Sequence, residues 1–272
     1  MKRVLFLTAA ICAACSIVTA QDQQPTGYHN VTCVKVVDGK GPEFREFLET
    51  NRKIGQVAVD SGRSTTSYRL RSIMPAGAAA TCDYVFISMY KGAPPAPNAT
   101  DTLPESLQKA GISMSAAEYR SRLNSVGRLV SSELWRTAIS VGEMQKGDYV
   151  YINHMKVHDA ANWMEMERSI WKPMAEAWAK DHSQRGWVVA QPVLPSGTDL
   201  KYQAITADVF PSWDAAFAQR PVDKTFKQIH PDKDIDKTFE KLGKVRDLAL
   251  REFMVVEDKI VPSGKAPASG QP

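Results

Sequence analysis

Hydrophobic positions along this chain fall into two successive series of the same kind. Val31 to Val37 is a short β-branched run that reads as a strand. Gly41-Pro42 then opens a helix, with proline at its tolerated first turn. Phe44, Phe47, Leu48, Ile54 and Ala58 recur at helical spacing and bury one face of it, and Ser61-Gly62 stops it. Thr65 to Ile73 and Cys82 to Tyr90 read as strands joined around Pro75-Ala76-Gly77, and Ala93 to Pro104 reads as an extended, proline-rich loop. Ser115-Ala-Ala-Glu118 is a capping box for a helix that turns Tyr119, Leu123, Val126 and Val130 inward, and Glu133 to Val141 reads as a closing strand. A second series follows. Tyr149 to Val157 is a strand, Ala160 to Asp181 a helix, Trp187 to Val193 and Tyr202 to Phe210 strands, and Trp213 to Phe217 a helical turn. The segment from Arg220 to Lys237 reads as an irregular, exposed loop; Ile235 to Leu248 is a helix and Arg251 to Ile260 the last strand.

The two series are copies. Leu123, Val126, Leu129 and Glu133 align without gaps on Leu242, Val245, Leu248 and Glu252, at an offset of 119 residues. Phe44 matches Trp163, Met74-Pro75 matches Leu194-Pro195, and Asp83-Tyr84 matches Lys201-Tyr202, all near that offset. The expected domains are a first half at 28–142 and a second at 147–261, with Glu133 and Glu252 equivalent at the two helix-to-strand junctions.

Each half reads βαββαβ, a ferredoxin-like unit, so the fold class is α+β. The pattern resembles the dimeric α/β-barrel superfamily, and Ile205 to Phe217 looks like that group's strand followed by a short helical turn. The resemblance implies two antiparallel sheets packed face to face as an α/β barrel within one chain. It also implies monooxygenase-like or isomerase-like chemistry, with a small-molecule pocket between sheet and helices. In that topology the first and third strands are antiparallel neighbours. Cys33 and Cys82 each fall near a strand start, hence at opposite ends, which favours two unpaired buried thiols over a disulfide.

The N-terminus changes where this fold is expected to work. Lys2 and Arg3 precede an almost continuously apolar stretch from Val4 to Val18, and Val18-Thr19-Ala20 offers small residues for cleavage. Residues 1–20 therefore read as a signal peptide, and the product as periplasmic or secreted; lipoprotein processing at Cys15 is the rival. No other segment is apolar enough to insert in a membrane. Of the formal charge of +4, Lys2 and Arg3 supply two, which leaves no basic excess suited to nucleic acid. Residues 262–272, small and rich in Pro and Gly, are expected to be disordered.

No strong catalytic, nucleotide or metal motif is present, and no cofactor can be named. Three clusters are candidates. On the strand Tyr149 to Val157, alternation places Ile152, His154, Lys156 and, at its end, His158 on one face. His154 is the candidate general base, held neutral by burial, with Lys156 and His158 as ligand contacts. Two histidines at this spacing lie about 13 Å apart and cannot share one metal ion. The helix from Ala160 carries Trp163, Trp171 and Trp178, which suit either a ligand pocket or a core and interface; Pro173 should kink it. Arg69 and Arg71 share a strand face, with Arg52 and Lys53 on the first helix, as an anion site or a solvated edge. Two functions stay open: an enzyme of the barrel type, or a noncatalytic ligand-binding or assembly protein. Either would act as a monomeric pseudo-dimer or a homodimer.

Overall fold

Period-two alternation in the strands sends one face inward and the other toward helices, and the same scheme is laid down twice. The structure is a computed structural model that describes residues 27–96 and 102–264. The first half runs β1 (Tyr28–Val36), α1 (Gly41–Asp60), β2 (Thr66–Met74), β3 (Tyr84–Tyr90), α2 (Leu103–Lys109), α3 (Ala116–Val126) and β4 (Gly127–Val141). The second runs β5 (Tyr149–Val157), α4 (Ala160–Met166), α5 (Lys172–Lys180), β6 (Gly186–Leu194), β7 (Ala204–Phe210), α6 (Trp213–Phe217), α7 (Val222–Ile229), α8 (Ile235–Val245) and β8 (Arg246–Ile260).

The strands form one closed antiparallel barrel in the order β1-β3-β2-β8-β5-β7-β6-β4. Each half thus contributes the ferredoxin-like order 4-1-3-2. The halves form one barrel within the chain, as the resemblance implied, and they are hydrogen-bonded edge to edge at β2–β8 and β4–β6. This works because β4 and β8 are 15 residues long. The first part of each pairs inside its own half, and the last part pairs with the other half's edge strand. Cys33, Tyr68, Leu70, Val85, Val150, Val209, Met254 and Val256 fill the interior.

Both closing strands begin earlier than the pattern suggested. α3 ends at Val126 and α8 at Val245, so Glu133 and Glu252 are equivalent but lie in mid-strand, away from the helix junction. Pairing of Gly127 and Arg246 with the ends of β1 and β5 draws these residues out of the helices. β3 and β7 match at an offset of 120, which makes Cys82 the equivalent of Tyr202 and Tyr84 that of Ala204. The proline-rich segment is partly helical: Pro104 sits in the first turn of α2, and Leu107 is buried. The segment from Arg220 likewise contains α7, because Val222, Phe226 and Ile229 present one apolar face to Ile170, Met174 and Trp178.

Pro173 is accommodated by a π-helical turn, Glu167–Trp171, that links α4 to α5 and leaves the proline in the first turn of α5. The repeat explains it. Gly41, at the start of α1, matches Ala160 at an offset of 119, whereas Gly62 and His182, both at positive φ, match at 120. The second helix therefore holds one extra residue, and a wider turn absorbs it. Ser263 anchors the start of the C-terminal segment on Asp60, its N–H donating to Oδ1 at 2.8 Å. Residues 1–20 and 265–272, read as signal peptide and tail, lie outside the described residues.

The cysteines correct a further expectation, for Cys33 and Cys82 form a disulfide, with Cα atoms 5.3 Å apart. β1 begins at Tyr28, three residues before the run that marked it, so Cys33 lies in its second half. In the antiparallel register Cys33 faces Val85, and Val34 faces Tyr84, beside the entry to β3 where Cys82 sits. The bond closes a loop with a sequence separation of 49. Replacing both cysteines by serine should cost up to roughly 4 kcal/mol by the loop-entropy relation. Thermal unfolding should register this as a fall in Tm of about 10 °C.

Candidate functional site

The space between sheet and helices differs in the two halves because different side chains point into it. In the first half it is a cavity of about 280 Å³. α1 and α3 wall it with Phe44, Phe47 and Tyr119, and the sheet contributes Ser67, Arg69, Phe86 and Asp258. Its charged groups are held at one side. Asp258 is buried and accepts an ion pair from Arg52 Nε at 3.0 Å. Arg69 reaches Glu257 only at 3.6 Å, and its Nε is buried without a hydrogen-bond acceptor among the described residues. Burial pushes the Tyr119 phenol up to about 12, so it is neutral, and its hydroxyl donates to Asn51 Oδ1 at 3.0 Å.

The matching space in the second half is filled. Ser67 and Arg69 correspond to Trp187 and Val189 in equal-length strands, and both of these are buried against Trp163, Met155 and Leu242. Sequence reasoning favoured this half because it is richer in tryptophan. The tryptophans are what close it. The signal that could have found the cavity was smallness: Gly55, Ala58 and Ser67 beside Arg69.

His154 lies elsewhere, inside the barrel. Its Nε2 is 2.8 Å from Glu252 Oε2, its ring centroid is 4.2 Å from that of Tyr202, and both His154 and Glu252 are buried. Burial pushes the Glu252 carboxyl up, but the hydrogen bond and charge of His154, together with hydrogen bonds from Thr81, more than offset this and leave it below its ordinary value. The alternation argument placed His154 on the inner face; it did not foresee a carboxylate partner. A second interior histidine, His29, is held neutral by burial, which lowers it to about 4, and lies 3.4 Å from Thr137 Oγ1.

The other candidate residues are not gathered around His154. Lys156 is exposed at the end of β5, and His158 is a surface residue 2.9 Å from Asp247. Trp163 and Trp178 are buried in core clusters, and Trp171 stands edge-on to Phe239 at 5.6 Å. Neither the first-half cavity nor the barrel interior contains any of these five. Among the described residues, no helix is long and apolar enough to cross a membrane.

No known protein family matches the sequence, and no curated protein does. Solved structures match in fold. A proposed monooxygenase from Fusobacterium nucleatum subsp. nucleatum aligns with a TM-score of 0.53 at 10% identity, over 88% of this chain and 95% of that one. A proposed monooxygenase from Lactobacillus acidophilus NCFM gives 0.50 at 10% identity, over 87% and 96%. An anthrone oxidase-like protein gives 0.50 at 13% identity, over 91% and 98%. The fold is thus that of the dimeric α/β barrels, present here as a tandem duplication.

The filled second half has a measurable property. Glu167, in the π-turn, is almost wholly buried, and burial pushes its carboxyl up to about 7, against the opposing pull of the Arg246 charge. Between pH 4.5 and about 7 this group is protonated in the folded chain and ionised in the unfolded one. Its contribution to stability is complete below that window and is lost as pH rises through it, on the order of 3 kcal/mol in all. Urea unfolding of the native protein and of Glu167→Gln across this range should show a difference that grows in the variant's favour up to pH 7 and is flat beyond.

Proposed function

We propose that this chain is an exported protein whose first-half cavity binds a small aromatic acid. The observation that carries this reading is the Arg69 guanidinium, a cation that lines a cavity walled by Phe44, Phe47, Phe86 and Tyr119. A planar aromatic body suits those walls, and a carboxylate or phenolate suits the Arg69 guanidinium. A cavity of about 280 Å³ is at the small end for organic ligands, which points to one ring or two.

Catalysis is the second reading. Asp258 is the carboxylate lining the cavity, and it stands ready as a base for a phenolic proton. The fold neighbours are described as monooxygenases and an anthrone oxidase-like protein, so oxygenation of a bound phenol is the reaction class to assay. His154, outside the cavity, is then a candidate base only for a ligand that reaches the barrel interior.

The repeat supplies the test. Ser67→Trp with Arg69→Val writes the second half's residues into the first, and should abolish binding of hydroxybenzoates and naphthoates measured by calorimetry. Arg69→Gln alone should weaken it by roughly 10- to 100-fold, the loss of one charge-assisted hydrogen bond. Unchanged affinity in both variants would remove the cavity from consideration. Oxygen uptake with the tightest ligand, absent in Asp258→Asn, would separate enzyme from binder.

Export rests on the apolar N-terminal stretch and on the disulfide, which persists in oxidising compartments. Intact mass and N-terminal sequencing of the native protein should give a chain that begins at Gln21 and carries no lipid.

A further inference from the structure

The barrel has a second recess, at one end of its interior and separate from the helix–sheet cavity. Strands four places apart in an all-antiparallel ring of eight run parallel, so β1 matches β5 and β4 matches β8 about an axis along the barrel. Glu133 and Glu252 therefore lie at the same end. Beside Glu133 is a pocket of about 230 Å³ lined by Trp135, Asp199, Lys201 and Tyr202. The Tyr202 ring stacks on Trp135, with centroids 6.3 Å apart and planes at 25°, and its ring also packs on His154. Trp135 Nε1 donates to Glu133 Oε2 at 2.9 Å, which holds the carboxylate beside the aromatic pair.

The charges here have one sign where it matters. Asp199 and Lys201 are both exposed and offset each other at the rim, whereas Glu133 is half-buried and has no basic partner among the described residues. Behind Tyr202 lies the Glu252 carboxylate, which is paired with His154 Nε2 at 2.8 Å, and His154 Nδ1 is buried without a partner among the described residues. The Tyr202 hydroxyl registers this surrounding charge: burial first, then Glu133 and Glu252, push it up to about 12. A carboxylate held beside aromatic side chains, in a recess of negative potential, suits an organic ammonium group through an ion pair and apolar contact.

We propose that this recess at the barrel mouth is a binding site for a small organic cation, with Glu133 as its anchor and Trp135 and Tyr202 as its walls. The site exists only in this half of the pseudo-symmetric barrel, because the residues matching Trp135 and Tyr202 are Met254 and the disulfide-bonded Cys82.

The probe is benzyltrimethylammonium, with benzoate as the anion of similar size, followed by amide and indole NMR of the mature protein. The Trp135 indole N–H, assigned through Trp135→Phe, should shift saturably with the cation at low-millimolar concentration and not with benzoate. Glu133→Gln keeps an acceptor for that N–H while removing the charge, and should weaken binding at least tenfold; Arg69→Gln should leave it unchanged. If Glu133→Gln lowers the unfolding temperature appreciably, the native protein decides instead, since affinity for the cation must fall with added NaCl. No saturable shift, equal response to benzoate, or indifference to both Glu133 and salt would overturn the site.

Discussion

The two seams, β2–β8 and β4–β6, are the constraint on which the rest of this molecule depends. A four-stranded ferredoxin-like sheet has two free edges, and each unpaired edge is a row of unmet backbone donors and acceptors. Here every edge is met by the other half, at the cost of making β4 and β8 long enough to serve two partners. Where β4 ends at its seam the backbones come into contact. Gly142 has φ of +65°, and a Cβ there would stand 2.1 Å from the Arg185 carbonyl oxygen, so no other residue fits. The interior, the helix layers and both recesses inherit their geometry from this closure.

Within a common backbone the halves have separated in chemistry. Both have the same register shift, between Cys33 and Val34 and between His154 and Met155. At these matched places the first half has a disulfide, Cys33–Cys82, and the second an imidazole packed at a tilt against a phenol, His154 on Tyr202. On the outer face the exchange is Ser67 and Arg69 for Trp187 and Val189, which leaves a cavity in one half and a core in the other. Equivalent positions thus hold either a structural link or a polar group, either space or bulk.

Topology was legible in the sequence because it rests on period and repetition. Matches such as Leu123, Val126 and Leu129 with their counterparts survive any error in strand ends, and the order of elements followed from them. What stayed hidden depends on contacts between distant segments. The disulfide was missed because a three-residue error in where β1 begins moved Cys33 to the wrong end of its strand. The pairing of His154 with Glu252 joins residues 98 apart, and alternation assigns a face without naming the neighbour. The cavity was missed because bulk draws attention, whereas space is made by residues such as Gly55 and Ala58 that carry little pattern of their own. Pro173 did foretell a local departure from the α-helix, although the π-turn could be deduced only once the extra residue had been counted.

A barrel assembled from two identical chains exists only to the extent that the chains find each other, and dilution takes it apart. In this chain closure is an intramolecular event, so the fraction of barrels that are complete does not vary with protein concentration. The single polypeptide also frees the two halves from having to be the same. A substitution in a homodimer appears twice and must be tolerated in both places, whereas Tyr202 could replace the counterpart of Cys82 on one side of the barrel alone.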